Sequence, residues 1–217
     1  MGEQTGEANR ISMLYRKRGC MLKKCEKCQL HQHATQMVNG RGGNHAKVML
    51  IGEAPGYEED LQGTAFVGKA GQLLNHVLDK LGVGPDDVFI TNCLRCRPPE
   101  NKLPSPKVVL EMFSCCEPYL QKEIHKVKPK VIVLMGSIPL YVIGHKVHVT
   151  QHEGTVLPVT YMNIPLVASY HPAFVLRQPS KEVCLARALY TAFDMVGIHP
   201  IPKPSDTFFD YDKEDVI

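Results

Sequence analysis

The stretch VMLIGEAPGYEED, Val48 to Asp60, runs from an apolar segment through a turn into an acidic segment. Its four leading apolar residues predict a short buried strand, and the glycines and Pro55 that follow predict a tight turn at the carboxyl end of that strand. Open α/β sheets bind their ligands at this end of their strands, where Glu53 supplies a carboxylate. A solvated acidic surface turn is the alternative interpretation of the same residues.

The same arrangement recurs along the chain. Apolar runs predict strands at 47–51, 88–91, 131–135 and 166–169, and helices are predicted at 68–81, 106–127, 137–144 and 180–196. This alternation favours right-handed βαβ crossovers, and therefore a mostly parallel sheet with helices on both faces. The intervening segments 31–45 and 61–67 are predicted as loops, 145–163 as a hairpin or loose strands, and Pro118 is predicted to interrupt its helix.

Polar side chains stand just after three of the predicted strands. They are Glu53, Asn92 and His171. Because parallel strands point the same way, all three should meet at one edge of the sheet. The remaining acids of the first stretch, Glu58, Glu59 and Asp60, are expected to be peripheral to any site at that edge.

The domain organisation is expected to be simple. Without an internal repeat or a low-complexity linker, the pattern predicts one domain over 11–200, preceded by a flexible tail at 1–10. Residues 201–217 are acidic and aromatic, and we expect a disordered tail there. A basic helix is predicted at 11–24. Residues 1–30 carry seven basic side chains against three acidic ones, which suits either a phosphate contact or a solvated face.

Composition narrows the class of protein. The 217 residues are 44% hydrophobic and 22% charged, with a net charge of +3, as in ordinary globular proteins. No apolar run reaches about 18 residues, so no membrane span is predicted, and the polar N-terminus does not resemble a signal peptide. We therefore expect a cytoplasmic monomer in a reducing compartment, where the eight cysteines do not form a disulfide framework.

The cysteines favour a metal centre instead. Cys25 and Cys28 form a CxxC pair, and Cys96 and Cys116 are candidates to complete four thiolates around an iron–sulfur cluster or a zinc ion. Cys93 also forms a CxxC pair with Cys96, so zinc held by two such pairs is a competing interpretation, and plain buried thiols are a third. Cys20, Cys184 and Cys93 itself are expected to pack rather than to ligate.

Several motifs together resemble the family 4 uracil-DNA glycosylases, the iron–sulfur branch of the uracil-DNA glycosylase superfamily. They span about 20–195 and read GEAPGYEED (52–60), FVGKAGQLL (66–74), ITNCLRCRPPEN (90–101), CEPYL (116–120) and SYHPAFVLR (169–177). The resemblance implies a three-layer α/β/α sandwich around a mostly parallel four-stranded sheet, with an N-terminal cluster-binding segment. It also implies a [4Fe-4S] cluster held by Cys25, Cys28, Cys96 and Cys116. Cys115 is the alternative fourth ligand, although CEPYL favours Cys116.

The resemblance also assigns roles at the sheet edge. Phe66 would stack on a flipped uracil, Asn92 would read its N3 and O4 edge, and His171 would donate to O2, joined there by the Ala54 amide. Glu53 would position or deprotonate the attacking water, or stabilise the cationic sugar. In the loop after the histidine, Leu176 would be a wedge in the DNA minor groove and Arg177 a phosphate contact.

The implied activity is hydrolysis of uracil from single- or double-stranded DNA by a monofunctional glycosylase. A non-catalytic binder of uracil or damaged DNA with the same fold is the alternative, and a zinc-stabilised nucleic-acid-binding protein is a third hypothesis. One superfamily branch is trapped covalently on DNA through a loop histidine, but 96–102 contains no histidine. A sliding-clamp partner is left open.

Overall fold

The computed structural model describes residues 25–200. The predicted tails at 1–10 and 201–217 and the basic helix at 11–24 lie outside the described residues, and so does Cys20. The single domain over 11–200 therefore stays a prediction with respect to its boundaries. In the part of the chain that the structure describes, no helix is both long and apolar enough to cross a membrane.

A six-stranded sheet forms the centre of the molecule, in the order β1-β3-β2-β4-β6-β5. Its strands are β1 (Arg41–Gly42), β2 (Val48–Gly52), β3 (Val88–Asn92), β4 (Val131–Met135), β5 (Val156–Tyr161) and β6 (Ile164–Ser169). The pairs β3–β2, β2–β4 and β4–β6 are parallel, whereas β1 and β5 pair antiparallel at the two edges. The predicted four parallel strands are confirmed, and two antiparallel edge strands are added to them.

Helices occupy the connections. They are α1 (Tyr57–Gln62), α2 (Lys69–Lys80), α3 (Pro106–Val127), α4 (Ser137–Val142), α5 (Val149–His152), α6 (Pro172–Val175) and α7 (Glu182–Asp194). Short 3₁₀ helices at Gln29–Gln32, Pro99–Asn101 and Pro179–Lys181 complete the described elements. α2 and α7 agree closely with the predicted helices at 68–81 and 180–196.

Alternation along the strands separates two cores. Leu50 and Val133 face a core that α2 and α7 cover, whereas Ile51 and Leu134, one residue further along, face a core that α3 covers. The central strands are buried on both faces, as their continuous apolar runs predict. The result is the expected three-layer α/β/α sandwich.

No helix was predicted for the acidic stretch, which forms α1, and the alternative of a surface turn is thereby excluded. The hairpin or loose strands predicted at 145–163 are confirmed in part, because β5 pairs with β6, but the short helix α5 precedes β5. The interruption predicted at Pro118 is wrong, because α3 runs unbroken through that residue. Proline leaves the carbonyl four residues earlier without its helical donor, but Ser114 lies on the exposed side of the helix, where water can bind that carbonyl.

Candidate functional site

A cavity of about 630 Å³ opens at the edge of the sheet where the parallel strands end. Six of the predicted site residues line it, namely Glu53, Ala54, Phe66, Asn92, His171 and Arg177. Leu176 is the exception, because it does not line the cavity and its half-buried side chain packs against the core beside α2 and α7. The predicted convergence of strand-end side chains at one edge is thus present in the structure.

Each wall of the cavity comes from a different strand end. Glu53 follows β2, Asn92 is the last residue of β3, and His171 lies two residues beyond β6. Gly136 follows β4 and also lines the cavity. Side chains far apart in the sequence meet here because all four strands point in one direction.

Asn92 presents an unsatisfied acceptor to the cavity. The residue is 3% exposed, and its buried Oδ1 has no hydrogen-bond partner among the described residues. Gly52 lies beneath it, and a Cβ at that position would stand 2.6 Å from Oδ1 and 2.5 Å from the ring of Phe66. A buried acceptor left unpaired costs about 1–3 kcal/mol, which a bound donor would recover.

His171 presents the complementary donor. The Ala173 amide donates to Nδ1 at 3.1 Å, which places the ring proton of the neutral imidazole on Nε2. Although the residue is only half-buried, Nε2 itself is shielded from solvent and has no partner among residues 25–200. Burial, with the nearby Arg177 charge second, lowers the pKa of His171 to about 4. The side chain is therefore a neutral donor near pH 7.

The ring of Phe66 closes another side of the cavity. Its centroid lies 5.6 Å from that of His171 with the planes 33° apart. Phe66 has a φ of 55°, a conformation that costs a residue of this size free energy. Arg41, buried at 1% exposure, holds it there by donating to the Ala65 carbonyl at 2.7 Å and the Phe66 carbonyl at 2.8 Å. Arg41 also donates to Asn75 on α2 at 2.9 Å.

Glu53 faces the start of α4. Its carboxylate accepts a hydrogen bond from Ser137 Oγ at 3.4 Å, and the backbone amides of Ser137 and Ile138 also lower its pKa. Burial raises the pKa of Glu53, while those donors and the Arg177 charge oppose the rise. Gly136, with φ at 96°, permits the approach, since a Cβ there would lie 2.7 Å from Glu53 Oε1. Glu53 is therefore an oriented carboxylate that a bound cation would stabilise.

The expectation that all three acids at 58–60 are peripheral is wrong for Glu59. Its carboxylate lines the cavity and accepts hydrogen bonds from the amides of Gly56 at 3.1 Å, Val67 at 2.8 Å and Gly68 at 2.7 Å. Glu59 thereby ties the turn after β2 to the segment that carries Phe66. A Gly-x-x-Glu spacing at a helix start was the available signal, since a glutamate at the third helical position reaches back to the residue preceding the helix.

Four thiols gather at a second location. Cys96 and Cys116 belong to the core that α3 covers, Cys25 and Cys28 pack against that core, and Cys25 and Cys96 line a smaller cavity of about 190 Å³. Burial first, then the neighbouring sulfurs, raise the pKa of Cys96 to about 12 and of Cys116 to about 11. Backbone amides are directed at two of the sulfurs, from Arg95 to Cys116 and from Leu30 to Cys28. Buried sulfurs provided with amide donors suit thiolates that bind a positively charged centre.

The other described cysteines differ in surroundings. The Cys115 thiol donates to the Lys27 carbonyl at 3.3 Å, whereas Cys93 is fully buried in the core and Cys184 is buried in the other core. All seven cysteines between 25 and 200 are free thiols. In this range, no group of three or more His, Cys, Asp or Glu side chains is arranged to hold a single metal ion.

The thiol group and the cavity are joined by one short segment. The Cys93 amide donates to the Gly52 carbonyl at 2.9 Å, and the Leu94 amide donates to the Glu53 carbonyl at 3.0 Å. Arg95, 2% exposed, then forms an ion pair of 2.7 Å with Glu123 on α3. The backbone that carries Asn92 is thus fixed on one side to Glu53 and on the other to the helix that carries Cys116.

Comparisons with known proteins agree on one family. Residues 40–193 match the family model of the uracil DNA glycosylase superfamily. The chain is 36% identical over 194 residues to a type-4 uracil-DNA glycosylase of Archaeoglobus fulgidus, covering 86% of this chain and 93% of the relative. Type-4 uracil-DNA glycosylases of Thermotoga maritima and Pyrobaculum aerophilum are 37% and 39% identical, covering 75% and 74% of this chain and 83% of each relative.

Proposed function

Because the chain belongs to the uracil DNA glycosylase superfamily and to its type-4 branch, we propose that it is a DNA-repair enzyme that releases uracil from DNA. It flips the uracil nucleotide out of the DNA and hydrolyses the N-glycosidic bond, leaving an abasic site. The observation that carries this proposal is the pair of unpartnered buried atoms in the cavity, Asn92 Oδ1 and His171 Nε2. The non-catalytic binder is not favoured.

The two unpartnered atoms suit the edge of uracil. Uracil carries a hydrogen on N3, which Asn92 Oδ1 accepts, and its O2 accepts the proton of His171 Nε2. The Asn92 amide nitrogen donates to O4 of uracil. Cytosine has an acceptor at N3 and an amine donor in place of O4, so neither hydrogen bond to Asn92 can form. Phe66 stacks on the base, and Gly52 allows the Phe66 ring and the Asn92 side chain to lie as they do, since a Cβ there would meet both. A site that leaves buried polar groups unpaired with the wrong base rejects that base strongly.

The chemistry follows from where charge develops. When the bond between C1′ and N1 breaks, its electron pair leaves with the base, so uracil becomes an anion and the sugar becomes cationic. His171 Nε2–H stabilises the negative charge at O2, and the Ala54 amide is proposed to join it. The oxygen of the water bonds to C1′. One of its protons stays on the new C1′ hydroxyl, and the other neutralises the uracil anion. Glu53 orients that water and stabilises the cationic sugar, with no metal in the chemistry.

Contacts with the DNA are proposed for the segment after the histidine. Arg177 is exposed at the rim of the cavity and is proposed to contact a phosphate. Leu176 remains the proposed wedge between base pairs, which requires its half-buried side chain to turn outward on binding. Single- and double-stranded DNA containing uracil are both proposed substrates.

A [4Fe-4S] cluster is the proposed occupant of the thiol group. Zinc, the alternative, is less well supported, because no three of the described His, Cys, Asp or Glu side chains are arranged around a single ion. Cys25, Cys28, Cys96 and Cys116 are the proposed ligands, since all four belong to or pack against the core that α3 covers, whereas Cys115 does not. When bound, the cluster crosslinks three segments of the chain. Its proposed role is structural, because the segment from Cys93 to Arg95 links Cys96 to both Glu53 and Asn92.

The organisation of the whole protein is also proposed. We propose one catalytic domain over 11–200 that acts as a monomer in the cytoplasm, flanked by tails at 1–10 and 201–217. The free thiols between 25 and 200 suit a reducing compartment.

An assay of strand scission distinguishes the enzyme from the binder. The purified protein is incubated with single- and double-stranded oligonucleotides that contain one uracil, and abasic sites are then cleaved with alkali. Scission at the uracil position, absent from a matched thymine oligonucleotide, is the expected result. Retained binding without scission would favour the non-catalytic binder instead.

Titration of the Glu53 carboxylate should set the pH dependence of the single-turnover rate. Glu53 acts as a carboxylate, so the rate should fall as the pH drops through its pKa, which burial raises above the ordinary 4.5. His171, with a pKa of about 4, is already neutral above that value and should add no limb near pH 6.5. Glu53→Gln should lower the single-turnover rate and remove its fall at acidic pH. His171→Gln should keep that fall at acidic pH. An acid limb that disappears in His171→Gln would contradict the assignment.

Asn92→Ala tests recognition of the base edge. We expect the uracil rate to fall by about 10²-fold, since the variant loses both hydrogen bonds that distinguish uracil from cytosine. The thermal midpoint should not fall, because the wild-type Oδ1 has no partner among the described residues. Single-turnover rates on matched uracil and cytosine oligonucleotides measure the effect. An unchanged uracil rate would exclude Asn92 as the reader.

A further inference from the structure

A tyrosine and an arginine form a stacked pair that the chemistry above does not use. Arg97 lies over the ring of Tyr57, with its guanidinium carbon 4.9 Å from the ring centroid. Tyr57 is nevertheless 52% exposed, so a large part of the ring faces solvent. An exposed aromatic side chain held in place by an arginine is a surface on which another planar group can stack.

The pair stands on the rim of the uracil cavity. Tyr57 directly follows Gly56, and Arg97 directly precedes Pro98, and both of these neighbours line the cavity. Arg97 Nε also donates to Oδ1 of the cavity-lining Asn101 at 2.7 Å. The two side chains therefore connect the start of α1 to the loop after β3 at the mouth of the cavity.

The charge of Arg97 is available to an anion. Within residues 25–200 its contacts are with neutral groups, the Tyr57 ring and the Asn101 side chain, and no carboxylate forms an ion pair with it. A guanidinium beside an exposed ring matches a nucleotide, which combines a flat base with a phosphate.

The order of the strands separates this pair from the proposed wedge. Tyr57 and Arg97 follow β2 and β3, whereas Leu176 and Arg177 follow β6, and β4 lies between these two groups in the sheet. A DNA strand whose uracil enters the cavity must continue on both sides of the mouth. The segment with Leu176 and Arg177 is proposed to contact the DNA on one side of the cavity mouth. The Tyr57–Arg97 pair lies towards the opposite side of the mouth.

We propose that Tyr57 and Arg97 form a stacking platform for the nucleobase next to the flipped uracil. The base stacks on the exposed part of the Tyr57 ring, and Arg97 contacts the adjoining phosphate. The inference rests on the proposed function and adds a subsite to it. The platform acts mainly on single-stranded DNA, because in a duplex the neighbouring base stays paired and stacked within the helix.

Tyr57→Ala and Tyr57→Phe test the platform in the full chain, with Leu61→Ala as the matched control. Leu61 is 51% exposed on the same helix, one turn further on. Binding is measured by anisotropy with a single-stranded oligonucleotide that carries non-cleavable 2′-fluoro-2′-deoxyuridine. The same oligonucleotide is prepared with an abasic spacer as the 5′ or the 3′ neighbour of that residue. The maximal rate is measured separately on deoxyuridine.

Tyr57→Ala should raise Kd for the single-stranded oligonucleotide about tenfold, and for the duplex less than about threefold. The maximal rate on deoxyuridine should change less than about twofold, and Tyr57→Phe and Leu61→Ala should resemble the wild type. A spacer at one of the two neighbouring positions should weaken wild-type binding as much as Tyr57→Ala does. In Tyr57→Ala, the abasic spacer at the same position should not weaken binding further.

Additive effects at both neighbouring positions, or an equal loss in Leu61→Ala, would overturn the platform. Its failure is distinguishable from failure of the proposed function. A wild-type protein that released no uracil would refute the glycosylase, whereas the coupling between Tyr57 and a neighbouring base is measured by binding alone.

Discussion

His171→Ala should slow uracil release by about 10²–10³-fold, the usual cost of removing one preorganised donor from a developing oxyanion. Nε2 is shielded from solvent and has no partner among the described residues, on a residue that lines the cavity, and the ring carries the proton on Nε2 because Nδ1 accepts the Ala173 amide. The donor therefore needs no reorganisation when charge appears on uracil O2. Single-turnover rates on a uracil oligonucleotide measure the loss.

Two companion variants separate chemistry from folding. His171→Gln keeps an amide donor and should recover part of the rate, whereas His125→Ala, an exposed histidine on α3, should leave the rate unchanged. The Ala173 hydrogen bond contributes about 1 kcal/mol, so the thermal midpoint of His171→Ala should fall by only a few degrees. A rate within about threefold of the wild type would remove His171 from the chemistry.

Cys116→Ser should abolish the cluster and, with it, most of the stability of the fold. Iron content should fall from about four atoms per chain towards zero, and the thermal midpoint should fall by more than about 10 °C. The reason is that the proposed cluster would join α3, through Cys116, to the segment that carries Cys25 and Cys28, which packs against the same core. Metal analysis, visible absorbance and calorimetry measure the change.

Cys115→Ser is the matched control for the fourth ligand. Although its sulfur lies near Cys28, its thiol donates to the Lys27 carbonyl and is outside the core that contains Cys96 and Cys116, so the variant should retain iron and colour. The reverse result, with iron lost in Cys115→Ser and kept in Cys116→Ser, would assign the ligand to Cys115. Zinc in place of iron in the wild-type protein would contradict the cluster.

The parallel sheet and its functional edge were predictable because both depend on short-range patterns. A buried parallel strand is a run of four or five apolar residues, and the polar residue after it marks the carboxyl end. Glu53, Asn92 and His171 were found in this way. β1 could not be found, because it is two residues long, and Arg41 does not resemble a buried strand residue until its partners at Ala65 and Phe66 are known.

The backbone conformation of the cavity walls could not be predicted from the sequence pattern. The φ of 55° at Phe66 is stabilised by hydrogen bonds from Arg41, 25 residues away, and no local periodicity encodes such a contact. Glu59 was misjudged for a related reason. An acidic run at a helix start usually faces water, and only the tertiary structure brings the Val67 and Gly68 amides to this carboxylate.

Bound uracil should satisfy the two unpartnered atoms, Asn92 Oδ1 and His171 Nε2, and nitrogen-15 NMR of His171 measures this in solution. At about pH 7, the free protein should show a neutral imidazole with the proton on Nε2. Saturating uracil should shift the Nε2–H resonance, and cytosine at the same concentration should not. A doubly protonated ring at that pH, or the same response to both bases, would show that His171 does not recognise uracil through a neutral Nε2–H.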